Sequence, residues 1–302
     1  MVYFLILHYM VDKVTEKCVD SILKLNGEKK IVIVDNLSPN DSFEKLKKYY
    51  SNDEDVYVIQ NSENNGFAKG NNYGYEFIKN NFKDAKFIIA MNNDMEILQK
   101  DFIEKIKEEY KKEKFYIMGP DIFSIEKGIH QNPEIEEHTI RNIEAINREI
   151  NRVTKRNKTK LFIKGIIFKI PGSIKLLATI KKHKRSSDTR YMNKHYNCTL
   201  HGSCLIFSKD FISKRDYAFY PNTTFYCEAQ ILDYQCEKNN WLRVYCPELH
   251  VIHYEDLATN ATYKSYVKKL EFQNKCLLES YDEFKKLIKE DNKKRKKNVK
   301  EK

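Results

Sequence analysis

The sequence predicts an α/β protein in which a mostly parallel sheet carries helices on both faces. Short apolar, β-branched runs alternate with amphipathic stretches of helical spacing through the first 125 residues. Hydrophobic residues make up 41% of the 302-residue chain, which is enough for a buried core. Several apolar runs end abruptly in Asp and Asn, as strands do where they border a ligand site.

The elements of this first part follow a regular order. Residues 2–7 are predicted as a buried strand, because the apolar start is far shorter than the roughly 20 residues that span a membrane. Residues 13–25 form a helix, since Cys18, Ile22 and Leu25 recur at helical spacing. The remaining elements are the strand KIVIVDN, a helix over 41–50, the strand DVYVIQN, a helix from ENNGFAKGNNYG to about residue 80, the strand AKFIIAMNND, the helix KDFIEKIKEEYKK and the strand KFYIMGPDI.

The alternation stops near residue 127. Residues 128–196 are predicted as a basic helical insertion, polar over 133–160 and then apolar with intermittent lysines. Strands resume at CTLHGSCLIFS and WLRVYCPELHVIH. A final helix covers about 261–285, and a Lys-rich tail that we expect to be disordered follows. The predicted units are therefore 1–127, 128–196, 197–260 and 261–302.

The net charge of +11 is concentrated in residues 152–185 and 284–302. Such an excess indicates an anionic partner, such as a membrane surface or a phosphorylated substrate, or else a solvated Lys-rich surface. We expect no nucleic-acid partner, because the basic runs lack interleaved aromatic residues. The segment 159–185 suits a membrane interface. The alternative is a helical hairpin that packs on its own domain or on a second copy, so an oligomer is left open.

The cysteines indicate a reducing compartment. There are seven, an odd number, and none forms C-x-x-C. The spacings among Cys227, Cys236, Cys246, His250 and His253 match no common zinc motif. We therefore expect a cytoplasmic protein, either free or peripheral on the inner face of the cell membrane.

Three predicted strands end in polar residues. These residues are Asp35, Asn36 and Ser38 after the second strand, Asn61, Glu63, Asn64 and Asn65 after the third, and Asn92, Asn93 and Asp94 after the fourth. Because the carboxyl ends of parallel strands share one edge, we expect these side chains to converge.

The stretch that follows the third strand holds Gly66, Gly70 and Gly74. It matches neither G-x-x-x-x-G-K-[ST] nor G-x-G-x-x-G. A spacing of four places the three glycines near one face of a helix. They indicate either close packing of that helix on the sheet behind an Asn cap, or a wall of a nucleotide pocket.

Taken in order, IVIVDNLSPNDS, NNGFAKGNNYG and FIIAMNND resemble the family 2 glycosyltransferases, which have the GT-A fold. The resemblance covers residues 1–125 and resumes at HGSCLIFSKDFI and from TFYCEAQILDYQC to HVIHYED. It implies transfer of a sugar from a nucleotide-diphosphate sugar to a glycan or lipid-linked acceptor, with inversion and a divalent metal. The rhamnosyltransferase-like members of cell-surface polysaccharide synthesis look most similar.

The resemblance also implies roles for individual residues. Asp94 would hold Mg²⁺ or Mn²⁺ together with His253, although Asn92 replaces the first acid of the family's D-x-D signature. The implied donor-binding residues are Asp35, Asn36, Asn65, Gly66, Lys69, Asn71, Asn72, Asn92 and Asn93.

On the acceptor side, the resemblance makes Glu228 the general base. The second acid that the family places beside it is Ala229 here, and a shift of register would favour Asp233 instead. The implied acceptor-side residues are His201, Gly202 and Ser203.

Two other functions remain as alternatives. A sugar-nucleotide nucleotidyltransferase usually has a Gly- and Lys-rich loop after its first strand, whereas HYMVDKVTEK contains no glycine. A non-catalytic basic binding protein on the same core would account for Asn92 and Ala229.

Overall fold

A computed structural model describes residues 1–134, 142–167, 189–255 and 266–300. The strands are β1 (Val2–His8), β2 (Lys29–Asp35), β3 (Val56–Gln60), β4 (Phe87–Asn92), β5 (Met95–Glu96), β6 (Ile117–Ser124), β7 (Ile129–His130), β8 (His195–Tyr196), β9 (Cys204–Ser208) and β10 (Arg243–His253). The α-helices are α1 (Asp12–Leu23), α2 (Ser42–Tyr49), α3 (Gly66–Asn81), α4 (Phe102–Glu113), α5 (Ile143–Ile167), α6 (Lys209–Lys214), α7 (Glu228–Asn239) and α8 (Tyr266–Lys300).

The strands form a single sheet in the order β3-β2-β1-β4-β9-β6-β10-β5, with β7 beside β6 and β8 beside β10. Strands β1 to β4 pair in parallel, as do β6 and β10, so the predicted mostly parallel α/β sheet is confirmed. Strand β9 runs antiparallel between β4 and β6, a reversal that the apolar pattern of its sequence did not reveal.

Helices cover both faces of the sheet, because its central strands are apolar on both sides. Along β1, Phe4 and Ile6 lie in one core and Tyr3 and Leu5 in the other, as alternation of side chains across a strand requires. Helices α1 and α4 contribute to the first core, and α3, α6 and α7 to the second. Both cores lie below the polar strand ends and fix the edge of the sheet that those ends form.

A third core lies among α5, α7 and α8. It contains Ile146 of α5, Ile231 of α7, and Tyr281, Phe284 and Ile288 of α8. The expectation of a disordered tail was wrong, because α8 continues to Lys300. Lysines and glutamates are good helix formers, and pairs three residues apart add support, as in Lys286 with Glu283 at 2.6 Å.

The insertion predicted over 128–196 begins and ends on the sheet, since β7 pairs with β6 and β8 with β10. The part of the basic segment 159–185 beyond residue 167 lies outside the described residues. Among the helices in the described ranges, none combines the length and apolar composition that crossing a bilayer requires.

The three glycines of α3 make two different close approaches. A Cβ at Gly70 would lie 2.6 Å from Leu7 Cδ1, and one at Gly74 would lie 2.2 Å from Leu5 Cδ1, so α3 packs tightly on β1. Gly66 instead meets the segment that precedes α7. It has a φ of +83°, and a Cβ there would lie 2.1 Å from the backbone oxygen of Thr224. Only glycine fits this position.

We expect Gly66→Ala to lower the free energy of unfolding by at least about 2 kcal/mol, because it combines a left-handed φ with a clash against backbone. Urea unfolding measures the loss. The matched control is Gly128→Ala, which has a φ of +61° and nothing within 4 Å of an added Cβ. It should lose only the conformational term of about 1–2 kcal/mol. Equal losses in the two variants would show that the close approach at Gly66 is unimportant.

Candidate active site

The polar strand ends converge on one edge of the sheet, as predicted. In the register of the parallel strands, His8 lies beside Asp35, and Leu7 lies beside Asn92. The carboxylate of Asp35 is fully buried and accepts hydrogen bonds from the Ser38 backbone and hydroxyl and from Gln60 Nε2. Asp35 therefore shapes the turn after β2 from inside.

The asparagines at this edge hold the turns together. Asn36 Nδ2 donates to Asn64 Oδ1 at 2.9 Å and to the Gly66 oxygen at 3.2 Å, which joins the β2 end to the start of α3. Asn65 occupies the N-cap position of α3 without a side-chain capping bond.

Three other residues predicted to bind the donor lie on α3. Lys69 is exposed, whereas Asn71 is buried and donates to the Phe67 oxygen. Asn72 makes three hydrogen bonds to the backbone of the segment before α7. Its Oδ1 accepts from the amides of Ala218 and Phe219, and its Nδ2 donates to the Phe219 oxygen. The Asn72 amide is thus committed to the fold.

His8 connects the β2 end to the β4 end, and the sequence analysis did not single it out. Its Nδ1 lies 2.7 Å from Thr15 Oγ1, its Nε2 lies 2.9 Å from Ser42 Oγ, and Asn93 Nδ2 donates to the same Thr15 hydroxyl. Burial lowers the pKa of His8 to about 4, although Asp35 opposes this shift. The ring is therefore neutral at pH 7. The one signal in the sequence was a histidine at the end of an apolar strand.

Asp94 and His253 meet at the other side of the edge, with Asp94 Oδ1 3.2 Å from His253 Nε2. His253 Nδ1 lies 2.7 Å from Gln131 Oε1. The orientation of the Gln131 amide is set by its Nε2, which donates to Glu255, and Glu255 in turn pairs with Lys127. Because Gln131 presents an oxygen, Nδ1 of His253 donates a hydrogen bond to it, and Nε2 is the ring nitrogen that faces Asp94.

This arrangement suits a divalent cation. His253 Nε2 and Asp94 Oδ1 are both buried and lie close enough together for one ion to contact both atoms. A carboxylate and an imidazole whose other nitrogen is hydrogen-bonded are common ligands of catalytic metals. No group of three or more His, Cys, Asp or Glu side chains in the described ranges is arranged to hold a metal, so further ligands would come from substrate or water.

The residues predicted on the acceptor side lie next to the Asp94 turn. The backbone amide of Asn92 donates to the backbone oxygen of Ser203 at 2.8 Å. The ring centroids of His201 and His253 are 6.2 Å apart. His201 Nδ1 lies 2.7 Å from Ser203 Oγ. Burial and the neighbouring His253 lower the pKa of His201 to about 4. The acceptor-side histidine is therefore neutral as well.

Glu228 is the first residue of α7 and is 6% exposed. Burial raises the pKa of its carboxyl to about 7, against the opposing effects of its own backbone amide and the Thr223 hydroxyl. Its Oε1 has no hydrogen-bond partner among the described residues. Asp233, the alternative base, instead forms an ion pair with Arg243 at 2.8 Å. Glu228 is thus the acid of α7 that suits proton transfer near neutral pH.

A segment that the sequence analysis assigned to the insertion also belongs to this site. Gln131 orients His253, Asn132 Oδ1 accepts from the His201 amide at 2.6 Å, and Glu134 lies 3.4 Å from Gln230 Nε2. Burial, reinforced by Asp233, raises the pKa of Glu134 to about 7. No periodic pattern or motif marks these positions, so only the pairing of β7 with β6 reveals them.

Several contacts connect the segments that meet at the strand-end edge. His8 and Thr15 link Asp35, at the end of β2, to Asn93, the neighbour of Asp94. Asn92 at the end of β4 bonds to Ser203 in the turn before β9, and Gly202 of that turn approaches Ala229 of α7. Thr224, ahead of α7, contacts Gly66 at the start of α3, which bonds to Asn36. A Cβ added at Gly202 would lie 3.8 Å from the Ala229 Cβ, which brings the start of α7 against the turn before β9. The predicted site residues are thus gathered around one edge.

The fold and this edge define a protein with the GT-A fold. The profile of the family described as Glycosyl transferase family 2 matches residues 3–173, more than half of the chain. The chain therefore belongs to this family of enzymes. The rhamnosyltransferase-like subtype stays a prediction.

Solved structures share the fold at low sequence identity. Residues 1–349 of S. aureus TarS superpose with a TM-score of 0.51 at 11% identity, over 84% of this chain and 60% of that one. The same TarS fragment in complex with UDP-GlcNAc gives a TM-score of 0.50 at 11% identity, over 87% and 62%. GalNAc-T7 with UDP, GalNAc and Mn²⁺ gives 0.56 at 13%, over 85% and 44%. No curated protein sequence matches the chain.

We expect Glu228→Gln to gain stability over the wild type as pH rises. The carboxyl pKa is raised from 4.5 to about 7 in the folded state, so the buried acid is tolerated while protonated and destabilises once it ionises. The free-energy difference should grow between pH 4.5 and 7 and reach about 3 kcal/mol. Urea unfolding at a series of pH values measures it. Glu76→Gln, at an exposed position of α3, is the control and should follow the wild type. Parallel curves for Glu228→Gln and wild type would contradict the assignment.

Proposed function

We propose that this protein transfers a sugar from a nucleotide-diphosphate sugar, with inversion, to a hydroxyl of a glycan or lipid-linked acceptor. The observation that carries the proposal is that the turn before β9 contacts both the start of α7 and the end of β4. A Cβ at Gly202 would lie 3.8 Å from the Cβ of Ala229, the neighbour of Glu228, and the Ser203 oxygen accepts from the Asn92 backbone amide, two residues before Asp94. The family assignment supports the reaction class. TarS in complex with UDP-GlcNAc and GalNAc-T7 in complex with UDP support a uridine nucleotide as the donor.

In this proposal the donor lies along the strand ends. The turn after β2, with Asp35 and Asn36, borders the base and ribose. The diphosphate lies toward the β4 end, at Asn92 and Asn93. Asn65 and Gly66 form the wall between them at the start of α3, and the exposed Lys69 adds positive charge nearby. Ligands of open α/β sheets bind at this edge of the strands.

Asp94 and His253 would hold a divalent Mg²⁺ or Mn²⁺ ion, and the Mn²⁺ in GalNAc-T7 supports this assignment. When bound, such an ion supplies positive charge that stabilises the diphosphate as a leaving group. Gln131 keeps the proton of His253 on Nδ1, so that Nε2 is available as a ligand. Asn92 contributes a main-chain bond to Ser203 and replaces a carboxylate that would otherwise add negative charge.

Glu228 takes the proton of the acceptor hydroxyl as that oxygen attacks the anomeric carbon. A carboxyl with a pKa of about 7 is ionised in a large fraction of molecules at neutral pH and binds the abstracted proton more tightly than an ordinary carboxylate. The turn that holds His201 and Ser203 approaches the residue after Glu228 through Gly202 and would receive the acceptor. The neutral His201 ring leaves Glu228 without a competing positive charge from that side.

We place the reaction in cell-surface polysaccharide synthesis, at the cytoplasmic face of the membrane. The last part of α8 is basic and exposed, with Lys293, Lys294, Arg295 and Lys296 on a helix that extends past its packing partners. Each basic group near an anionic lipid surface contributes about 1 kcal/mol. Together with the predicted segment 159–185, this end of α8 would bring the enzyme to a lipid-linked acceptor.

We expect Glu228→Gln to lower kcat by about 10²–10⁴-fold, because the amide cannot accept the proton. Release of UDP from UDP-N-acetylglucosamine and a panel of other UDP-sugars measures turnover with glycan or water as acceptor. Thermal shift with UDP should be unchanged, since Glu228 does not hold the donor. Glu76→Gln is the control. Full turnover by Glu228→Gln would remove this residue from the mechanism, and a wild type that cleaves no donor would favour a binding protein.

We expect Gln131→Leu to weaken Mn²⁺ binding about 10–100-fold, because the His253 ring loses the acceptor that fixes its tautomer. Isothermal titration of Mn²⁺ in the presence of UDP measures this affinity. Gln99→Leu is the matched control, since the Gln99 side chain bonds only to the backbone of Glu248 and His250. Unchanged Mn²⁺ affinity in Gln131→Leu would argue against His253 as a ligand.

A further inference from the structure

The backbone immediately before Glu228 has an unusual conformation. Tyr226 and Cys227 are consecutive non-glycine residues in the left-handed region, with φ values of 69° and 70°. Side chains with a Cβ disfavour this region, so two such residues in a row persist only where neighbouring structure holds them. Glu228 begins α7 directly after this turn, and its direction therefore depends on whatever fixes residues 225–227.

Helix α8 contacts this turn with one face. The Ser280 hydroxyl, 1% exposed, donates to the Phe225 oxygen at 2.9 Å. The Phe272 ring meets the Phe225 ring edge-on, with centroids 5.5 Å apart. Cys276, which lies between Phe272 and Ser280 in the sequence, is buried. Burial raises the pKa of its thiol, and the carboxylates of Glu279 and Glu228 add to this shift. A spacing of four residues places all three contacts on one face of the helix.

The same helix accompanies α7 to its far end. Phe284 and Ile288 of α8 share a core with Ile231. Further along, Asp291 accepts a hydrogen bond from Tyr234 and pairs with Lys238 at 2.5 Å. The contacts advance along both helices in the same direction, so α8 runs beside α7 from the turn before Glu228 onward. Most of α8 therefore supports the helix that carries the base, although residues 266–300 lie beyond the family match.

We propose that α8 positions the general base, with Ser280 and Phe272 as positioning residues that hold the left-handed turn before Glu228. This inference rests on the proposed role of Glu228. Neither residue touches the reacting atoms, and both act through the Phe225 backbone and ring. The thiols of Cys227 and Cys276 interact electrostatically with Glu228, and Glu134 also acts on the Cys227 thiol. Loss of the Ser280 bond lets the turn relax and admits water to the carboxylate.

The test compares Ser280→Ala with Glu279→Ala, a substitution at the adjacent, exposed position of the same helix. The full chain is labelled with glutamate carrying ¹³C in its side-chain carboxyl, and Glu228→Gln identifies the Glu228 resonance. In wild type and Glu279→Ala the resonance should titrate near pH 7. In Ser280→Ala we expect the midpoint to fall by about one pH unit or more, because burial of the carboxylate is reduced.

A second readout separates positioning from folding. UDP release from UDP-N-acetylglucosamine should show kcat about tenfold to a hundredfold lower in Ser280→Ala, with the donor KM unchanged. Phe272→Leu keeps an apolar side chain and should shift the carboxyl titration in the same direction, which preserves the test if Ser280→Ala does not fold. An unchanged titration in a folded variant overturns the proposal. Full activity of Glu228→Gln would instead refute the base, and the titration would still report whether α8 governs it.

Discussion

The site depends on one close approach between two pieces of backbone at the first turn of α3. The Phe67 amide donates to the Thr224 oxygen at 2.7 Å, and Gly66 leaves the space that this contact requires. The first amides of a helix lack partners inside the helix, so a carbonyl from elsewhere can satisfy one of them. Here that carbonyl belongs to the segment that leads to Glu228. The turn at the end of the third strand thereby helps to determine the position of Glu228.

Two neutral histidines lie near the strand-end edge. His8 and His201 are both buried enough that their pKa values fall to about 4, and each contacts a hydroxyl rather than a carboxylate at hydrogen-bond distance. Neither ring therefore adds positive charge to the edge that holds the Asp35 and Asp94 carboxylates. In the proposed mechanism, a divalent metal on Asp94 and His253 would add positive charge where the leaving group departs.

The sequence predicted the first half of the fold well, because there each strand is a short apolar run and each helix an amphipathic one. The family resemblance also implied roles for Asp94, His253 and Glu228, which stay predictions, and the structure brings Asp94 and His253 within 3.2 Å of each other. The sequence did not identify Gln131, Asn132 and Glu134, since side chains that act through long-range pairing carry no periodic signal. The glycine spacing left two readings open, close packing on the sheet or a wall of a nucleotide pocket, and the structure shows close packing at Gly70 and Gly74. The contact of Gly66 with Thr224 was not predicted, because it joins residues far apart in sequence. The sequence analysis predicted a disordered basic tail because the last turns of α8 have no amphipathic pattern.

The reversed direction of β9 has a consequence for how such sites are assembled. An antiparallel strand starts where its parallel neighbours finish, so the residues ahead of β9 arrive at the same rim as the residues behind β4. Segments that precede a strand and segments that follow a strand can therefore both contribute side chains to that rim. The turn before β9, which contains His201 and Ser203, is bonded to the sheet because the Ser203 oxygen accepts from the Asn92 backbone amide. The strand that follows helps to fix the directions of its side chains. With one antiparallel strand in a parallel sheet, residues both before and after a strand can contribute side chains to the same site.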